Sequence, residues 1–139
     1  MPKPNYWLKM VSAGDDPLDN RWIETNPELL REVRSPWRPS GIKQSDVLVY
    51  YAAGDRCIFA IARATMDGEA CTEEPKKGEE RWPWLLPVQV RLAIPTLRQA
   101  PKWDVLGIAS SSVQQKSYIE ISRDQYRLAW EAIVAQSKP

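Results

Sequence analysis

Between Arg81 and Pro95 the chain reads RWPWLLPVQVRLAIP, with Leu86, Val88, Val90, Leu92 and Ile94 alternating with Pro87, Gln89, Arg91 and Ala93. A period of two predicts a strand with one face on a core. The Trp82-Pro83-Trp84 run ahead of it is stiff and extended, because proline fixes its own φ and restricts the residue before it. Stiff aromatics at the mouth of a strand either stack on a flat ligand or close the end of a core.

The same patterning places the other elements. Tyr6 to Val11 is short, apolar and aromatic, a first strand, and the segment from Ser12 to Asn20 is rich in turn residues. Asn26 as cap, Pro27 at the first helical position and Glu28 in the first turn predict a helix that buries Leu29, Leu30 and Val33 and stops at Arg34 or Ser35, ahead of Pro36. SPWRPSG, from Ser35 to Gly41, is predicted to be irregular. Asp46 to Ala53 and Arg56 to Thr65 read as two strands of a hairpin turning at Gly54-Asp55, and the second is apolar on both faces and therefore central. Asp67 to Glu80 is a long charged loop. Leu97 to Trp103 is a connection, Leu106 to Ile108 a short apolar turn or strand, and Ser110 to Lys116 a polar segment, either a surface loop or a contact for a ligand backbone. Ser117 to Ile121 is a last strand. Ser122 and Gln125 then form a capping-box pattern for a C-terminal helix. Its stripe of Tyr126, Ala129, Trp130, Ile133 and Val134 assigns Trp130 to the core.

This order of elements predicts one domain, 1–139, of mixed α+β class: a curved mixed β-sheet forming a small open barrel with flanking α-helices.

Composition narrows the chemistry. Seven Trp and five Tyr stand against one Phe. Residues with an apolar body and a polar handle favour places that are half wet, so some of these aromatics are expected at a site. A net charge of +1 argues against gripping nucleic acid by bulk electrostatics, and leaves room for a reader of one base with few phosphate contacts. The chain has no histidine, which removes the commonest general base and the commonest metal ligand. Cys57 and Cys71 match no zinc or redox spacing. No metal and no cofactor is expected. MPKPNYWLKMVS lacks the apolar core of a signal peptide, and no run is long enough to cross a bilayer, so a soluble, cytoplasmic protein without a membrane partner is expected. Trp37 lies in a loop stiffened by two prolines, beside the most basic window of the chain, which holds Arg31, Arg34, Arg38 and Lys43. It serves either a binding site or as a lid on the core.

Three stretches together resemble the EVE domain, a branch of the PUA-like superfamily that also contains the YTH and ASCH domains. NYWLKMVS is similar to that family's opening Tyr-Trp-Leu strand ending near a serine. SDVLVYYAAGDRCIFAIARA resembles its hairpin, and ERWPWLLPVQVRLAIP resembles its tryptophan-rich approach to a strand ending in proline. Two departures stand out. The family's Lys-Ser-Glu-Pro does not follow Tyr-Trp-Leu here, and SPWRPSGIKQSD replaces its Arg-Asn-Tyr-Gln-Ala-Arg run.

The resemblance implies a PUA-like curved sheet around an aromatic pocket that receives a flipped, often modified, base of DNA or RNA. On that footing Trp37 and Trp82 or Trp84 are expected to stack on the base. Tyr6, Trp7, Tyr50 and Tyr51 are expected to line or support the pocket, and Ser12 to read the base edge. Arg34, Arg38, Lys43 and Arg91 are the expected phosphate contacts. No catalytic residue is expected, and an effector protein such as a nuclease is an open partner. Two other readings remain open. One is an ASCH-like hydrolase of modified nucleosides, for which Lys9 with Glu24 or Lys43 with Asp46 are the available pairs and no spacing singles out either. The other is a small-molecule or protein-interaction module using the same pocket.

Overall fold

β6 (Trp84–Ala93) is the strand on which the rest of the sheet is hung. In this computed structural model, which describes residues 3–12, 16–52, 54–74, 82–108 and 117–137, it is ten residues long and serves two sets of neighbours. Its first half pairs antiparallel with β2 (Glu32–Ser35) and with the two-residue β5 (Thr72–Glu73); its second half pairs with β4 (Cys57–Ala64). Pro87, which has no N–H to give a ladder, falls at the changeover, opposite Glu32 of β2, and Val88 starts the pairing with β4.

Beyond β4 come β3 (Val47–Ala52), β1 (Tyr6–Val11) and β7 (Tyr118–Ile121), giving the order β2-β6-β4-β3-β1-β7. β1 runs parallel to β3, and the other pairings are antiparallel, so the sheet is mixed as expected. β3 and β4 form the predicted hairpin, and Cys57 to Ala62 are all buried, as the central position of β4 requires. Irregularities at Tyr50/Tyr51 and Ile61/Ala62 add twist, and the sheet curls into a half-barrel. Its two edges come back towards each other. Ser35, the last residue of β2, lies 3.2 Å (Oγ to Oγ) from Ser117, the residue before β7.

One side of the sheet is filled by an aromatic group from separate segments: Trp22 packs edge-on to Phe59, and Phe59 to Tyr50. Trp22 opens the short helix α1 (Trp22–Thr25), and its indole N–H donates to the Ile94 carbonyl at 2.8 Å. Helix α2 (Arg123–Ser137) starts with the predicted capping box: Ser122 N donates to Gln125 Oε1 at 2.8 Å, and Gln125 N to Ser122 Oγ at 3.0 Å. Tyr126 stacks on Tyr6 of β1, and Ala129 and Ile133 are fully buried.

Two expectations are corrected. The helix expected from Asn26 to Ser35 is instead a single 3-10 turn, Pro27–Leu30, followed by β2. Asn26 does not cap; its side-chain amide donates to Glu28 Oε1. One helical turn gains little by itself, whereas Val33 and Ser35, buried at period two, complete the open flank of β6. Trp130, assigned to the core, is 40% exposed; α2 rests on Ala129 and Ile133, and Trp130 leans on Tyr126 at the rim. The expected charged loop holds a 3-10 turn, Gly68–Ala70, and β5, with 75–80 outside the described residues. The region 97–108 forms two 3-10 turns, Leu97–Gln99 and Trp103–Leu106. The polar segment from Ser110 to Lys116 lies outside the described residues. Among the described residues no helix is long and apolar enough to cross a membrane.

Candidate functional site

Where the curled sheet fails to close, a cleft opens. It is lined by Lys9, Met10, Val11 and Ser12 at the end of β1, by Glu28 and Leu29 of the 3-10 turn, by Glu32, Val33 and Arg34 of β2, and by Trp82. Counting the solvent at its mouth it encloses about 490 Å³. The residues come from opposite ends of the strand order, so the cleft exists only because the sheet curls.

Lys9 is its most unusual component. It sits in a strand that is otherwise apolar, YWLKMV, and is 1% exposed. Its Nζ donates to the Met10 carbonyl at 2.7 Å and to Ser117 Oγ at 2.9 Å, and lies 5.9 Å from the centre of the Trp82 ring. Both hydrogen-bond partners are neutral. Burial holds its pKa down from 10.5 to about 7. Trp82 is half-buried and fixed from behind: Arg34 Nη1 donates to the Glu74 carbonyl at 2.6 Å and reaches the Trp82 carbonyl at 3.4 Å, while its Nε lies 3.6 Å from Glu32 Oε2. The cleft thus combines an aromatic face, a buried amine, a serine, and two glutamates beside an arginine. Such a set suits a flat ring with hydrogen-bonding edges.

Of the residues expected at a base pocket, Trp82 and Ser12 line the cleft, as does Arg34, expected on a phosphate. Tyr50 stands behind it, fully buried, its hydroxyl donating at 2.8 Å to the carbonyl of Leu29, a lining residue. Trp84 lies under the Arg38 guanidinium, 4.7 Å from ring centre to Cζ, and Arg38 is 3.9 Å from Glu69. Trp37 is 64% exposed in the loop after β2. Tyr6 is stacked on Tyr126, and Tyr51 meets Trp103 edge-on. Trp7 packs against Tyr118 and donates its indole N–H to Asp46. Lys43 and Arg91 are exposed. Of the pairs considered for a hydrolase, Glu24 is exposed and is no part of the cleft lining, and Asp46 is a buried acceptor for the Asn5, Trp7 and Lys43 N–H groups. The carboxylates in the cleft with Lys9 are Glu28 and Glu32, which the sequence did not single out. A lysine in a six-residue apolar strand was the available sign of the cleft. Among the described residues no group of three or more His, Cys, Asp or Glu side chains is placed to hold a metal ion.

No protein-family model and no curated protein sequence matches this chain. Solved structures do. A protein of Rhodopseudomonas palustris superposes with a TM-score of 0.58 at 10% identity over 96% of each chain. A hypothetical protein from Leishmania major gives 0.57 at 11% identity over 98% of each. The human THYN1 protein, solved in complex with DNA containing 5-methylcytosine, gives 0.52 at 9% identity, covering 97% of this chain and 99% of that one. The likeness is one of fold. It extends over nearly the full length of all four chains.

Proposed function

We propose that this chain is a nucleic-acid-binding domain of the EVE type, without catalytic activity of its own, which holds a modified base in the cleft at the seam of its half-barrel. The observation that carries the proposal is the cleft itself, with Trp82 over a buried lysine and Ser12 at its margin. The fold shared with a protein seen on 5-methylcytosine DNA supports it. Stacking one base on an aromatic contributes about 1–3 kcal/mol, against about 8.2 kcal/mol for micromolar affinity. Hydrogen bonds in the cleft and phosphate contacts from Arg38, Lys43 and Arg91 supply the remainder. Arg34 is engaged with Glu32, Glu74 and Trp82, so its part is to position Trp82.

Tryptophan fluorescence during titration with single-stranded and duplex oligonucleotides tests this, using plain cytosine and adenine and their methylated or hydroxymethylated forms. Saturable quenching by one modified form is expected, with affinity lowered about 5- to 150-fold by Trp82→Ala. The proposal fails if no oligonucleotide binds, or if Trp82→Ala folds normally and binds as the parent does. A second reading has one observation in its favour: Lys9, Glu28 and Glu32 in one cleft are groups that a hydrolase of acylated nucleosides would use. Turnover of a panel of acylated nucleosides would establish that reading in place of the first.

A further inference from the structure

We infer that Lys9 selects what the cleft holds, by donating a hydrogen bond from its protonated amine to a carbonyl oxygen on the edge of the bound base, so that binding takes up a proton. The inference rests on the reading of the cleft as a base pocket. An ammonium has three N–H groups and a neutral amine two. Two are used, on the Met10 carbonyl and on Ser117 Oγ. Ser117 gives its own proton to Ser35 Oγ, which leaves it an acceptor towards Lys9. Only the protonated form therefore has a donor left, and among the described residues no carboxylate pairs with it. A buried donor without a partner costs free energy until a ligand supplies one.

The surroundings fix the kind of acceptor. The charged groups of the cleft beside Lys9 are Glu28 from the 3-10 turn and Glu32 and Arg34 from β2; Ser117 comes from just ahead of β7, Tyr50 of β3 is the register partner of Lys9, and the Trp82 segment brings an uncharged ring. Glu28 and Glu32 offset the ammonium of Lys9 and the Arg34 guanidinium, so the cleft has no excess of positive charge to draw an anion, and Glu32 and Arg34 already lie 3.6 Å apart. A neutral carbonyl oxygen on a flat ring satisfies both the lysine and Trp82. Cytosine, uracil, thymine and guanine carry such an oxygen and adenine does not. With the amine held near neutrality by burial, the proton is only partly in place before the ligand arrives.

The test titrates the parent, Lys9→Met and Lys9→Gln with short oligonucleotides carrying 5-methylcytosine or N6-methyladenine, and with free cytidine, uridine and adenosine, from about pH 6 to about pH 8.5. Thermal melts establish that each variant is folded; Lys9→Gln serves if Lys9→Met is not. For the parent, affinity for the carbonyl-bearing ligands should fall up to about tenfold per pH unit above neutrality. Calorimetry in buffers of different ionisation enthalpy should show proton uptake. Either variant should lose about ten- to hundredfold for those ligands and become insensitive to pH. Oligonucleotide binding that is flat with pH and unchanged by both substitutions overturns the role of Lys9 and leaves the base-reading function standing. Equal, equally pH-dependent binding of adenine also overturns it. Binding of free cytidine or uridine through Lys9, with no oligonucleotide bound, keeps this inference and removes nucleic acid as the partner. If no ligand binds the parent, both fall.

Discussion

Replacing Lys9 by methionine should make the protein more stable, by an amount that depends on pH. Burial lowers the Lys9 pKa from 10.5 to about 7. At about 1.36 kcal/mol per pH unit, keeping the ammonium inside the fold costs about 5 kcal/mol once the pH is below neutrality. Between about pH 7 and pH 10.5 the unfolded chain holds a proton that the folded chain has released, so the parent's stability rises with pH across that window. Methionine fills a similar slender volume without charge. Relative to the neutral amine it forfeits two hydrogen bonds, to the Met10 carbonyl and Ser117 Oγ, of about 1 kcal/mol each. The balance favours Lys9→Met by about 3 kcal/mol near pH 6, and by about 1 kcal/mol near pH 8.5. Cys57, Cys71, Tyr50, Tyr51 and Tyr126, which burial raises above 9.0 or 10.0, add an opposite slope above about pH 9 that both proteins share, so the difference between them isolates Lys9. Urea denaturation of both proteins at several pH values measures the difference. Parallel curves across the range, or a Lys9→Met protein less stable at every pH, would refute the account of Lys9 as a buried, partly deprotonated amine.

Three further outcomes follow from other parts of the fold. Gly68→Ala should destabilise by more than about 2 kcal/mol in urea denaturation, because a Cβ there would run into the Pro39 carbonyl oxygen, backbone that has nowhere to move while Gly68 N donates to the Ile42 carbonyl at 2.7 Å. Asp46→Asn should cost about 3 kcal/mol in the same assay: the carboxylate accepts from Asn5 N, Lys43 N and the Trp7 indole, each at 2.9 Å, and an amide turns one oxygen into a donor facing donors. Ser122→Ala removes half of the capping box and should lower stability by about 1 kcal/mol, with helical circular dichroism near that of the parent.

The elements that were legible in the sequence are those whose own residues decide their state. β6, the β3–β4 hairpin and the capping box of α2 each carry a period or a cap that local physics turns into structure. The stretch from Pro27 to Ser35 reads as a helix from its start, while its outcome is set by the free flank of β6, a partner distant in the chain. Trp130 fits the apolar stripe of its helix, yet only contact with the sheet decides which side of that stripe is covered. The site was legible in part for the same reason. A tryptophan-proline-tryptophan run announces a special place, and Trp82 is in the cleft; no spacing rule places Glu28 and Glu32 beside Lys9, since a curl of the whole sheet brings them there.

That curl also explains why the cleft lies where it does. A sheet rolled most of the way to a barrel leaves two flanks that face each other without pairing, and polar groups there must find partners other than a ladder. Here Ser35 of β2 and Ser117 ahead of β7 bridge the gap, and Lys9 reaches in from β1 to the same hydroxyl. Closing the seam with apolar residues would yield a more stable protein and no cleft. Holding it with a buried amine leaves one donor unspent and a space beside Trp82 in which to use it. On the proposal above, an incoming carbonyl oxygen completes the lysine's hydrogen bonding at a seam that Ser117 and Ser35 already bridge. On that proposal the cost of burying the amine is offset on binding and not in the free fold, so a gain in stability from Lys9→Met and a loss of affinity go together.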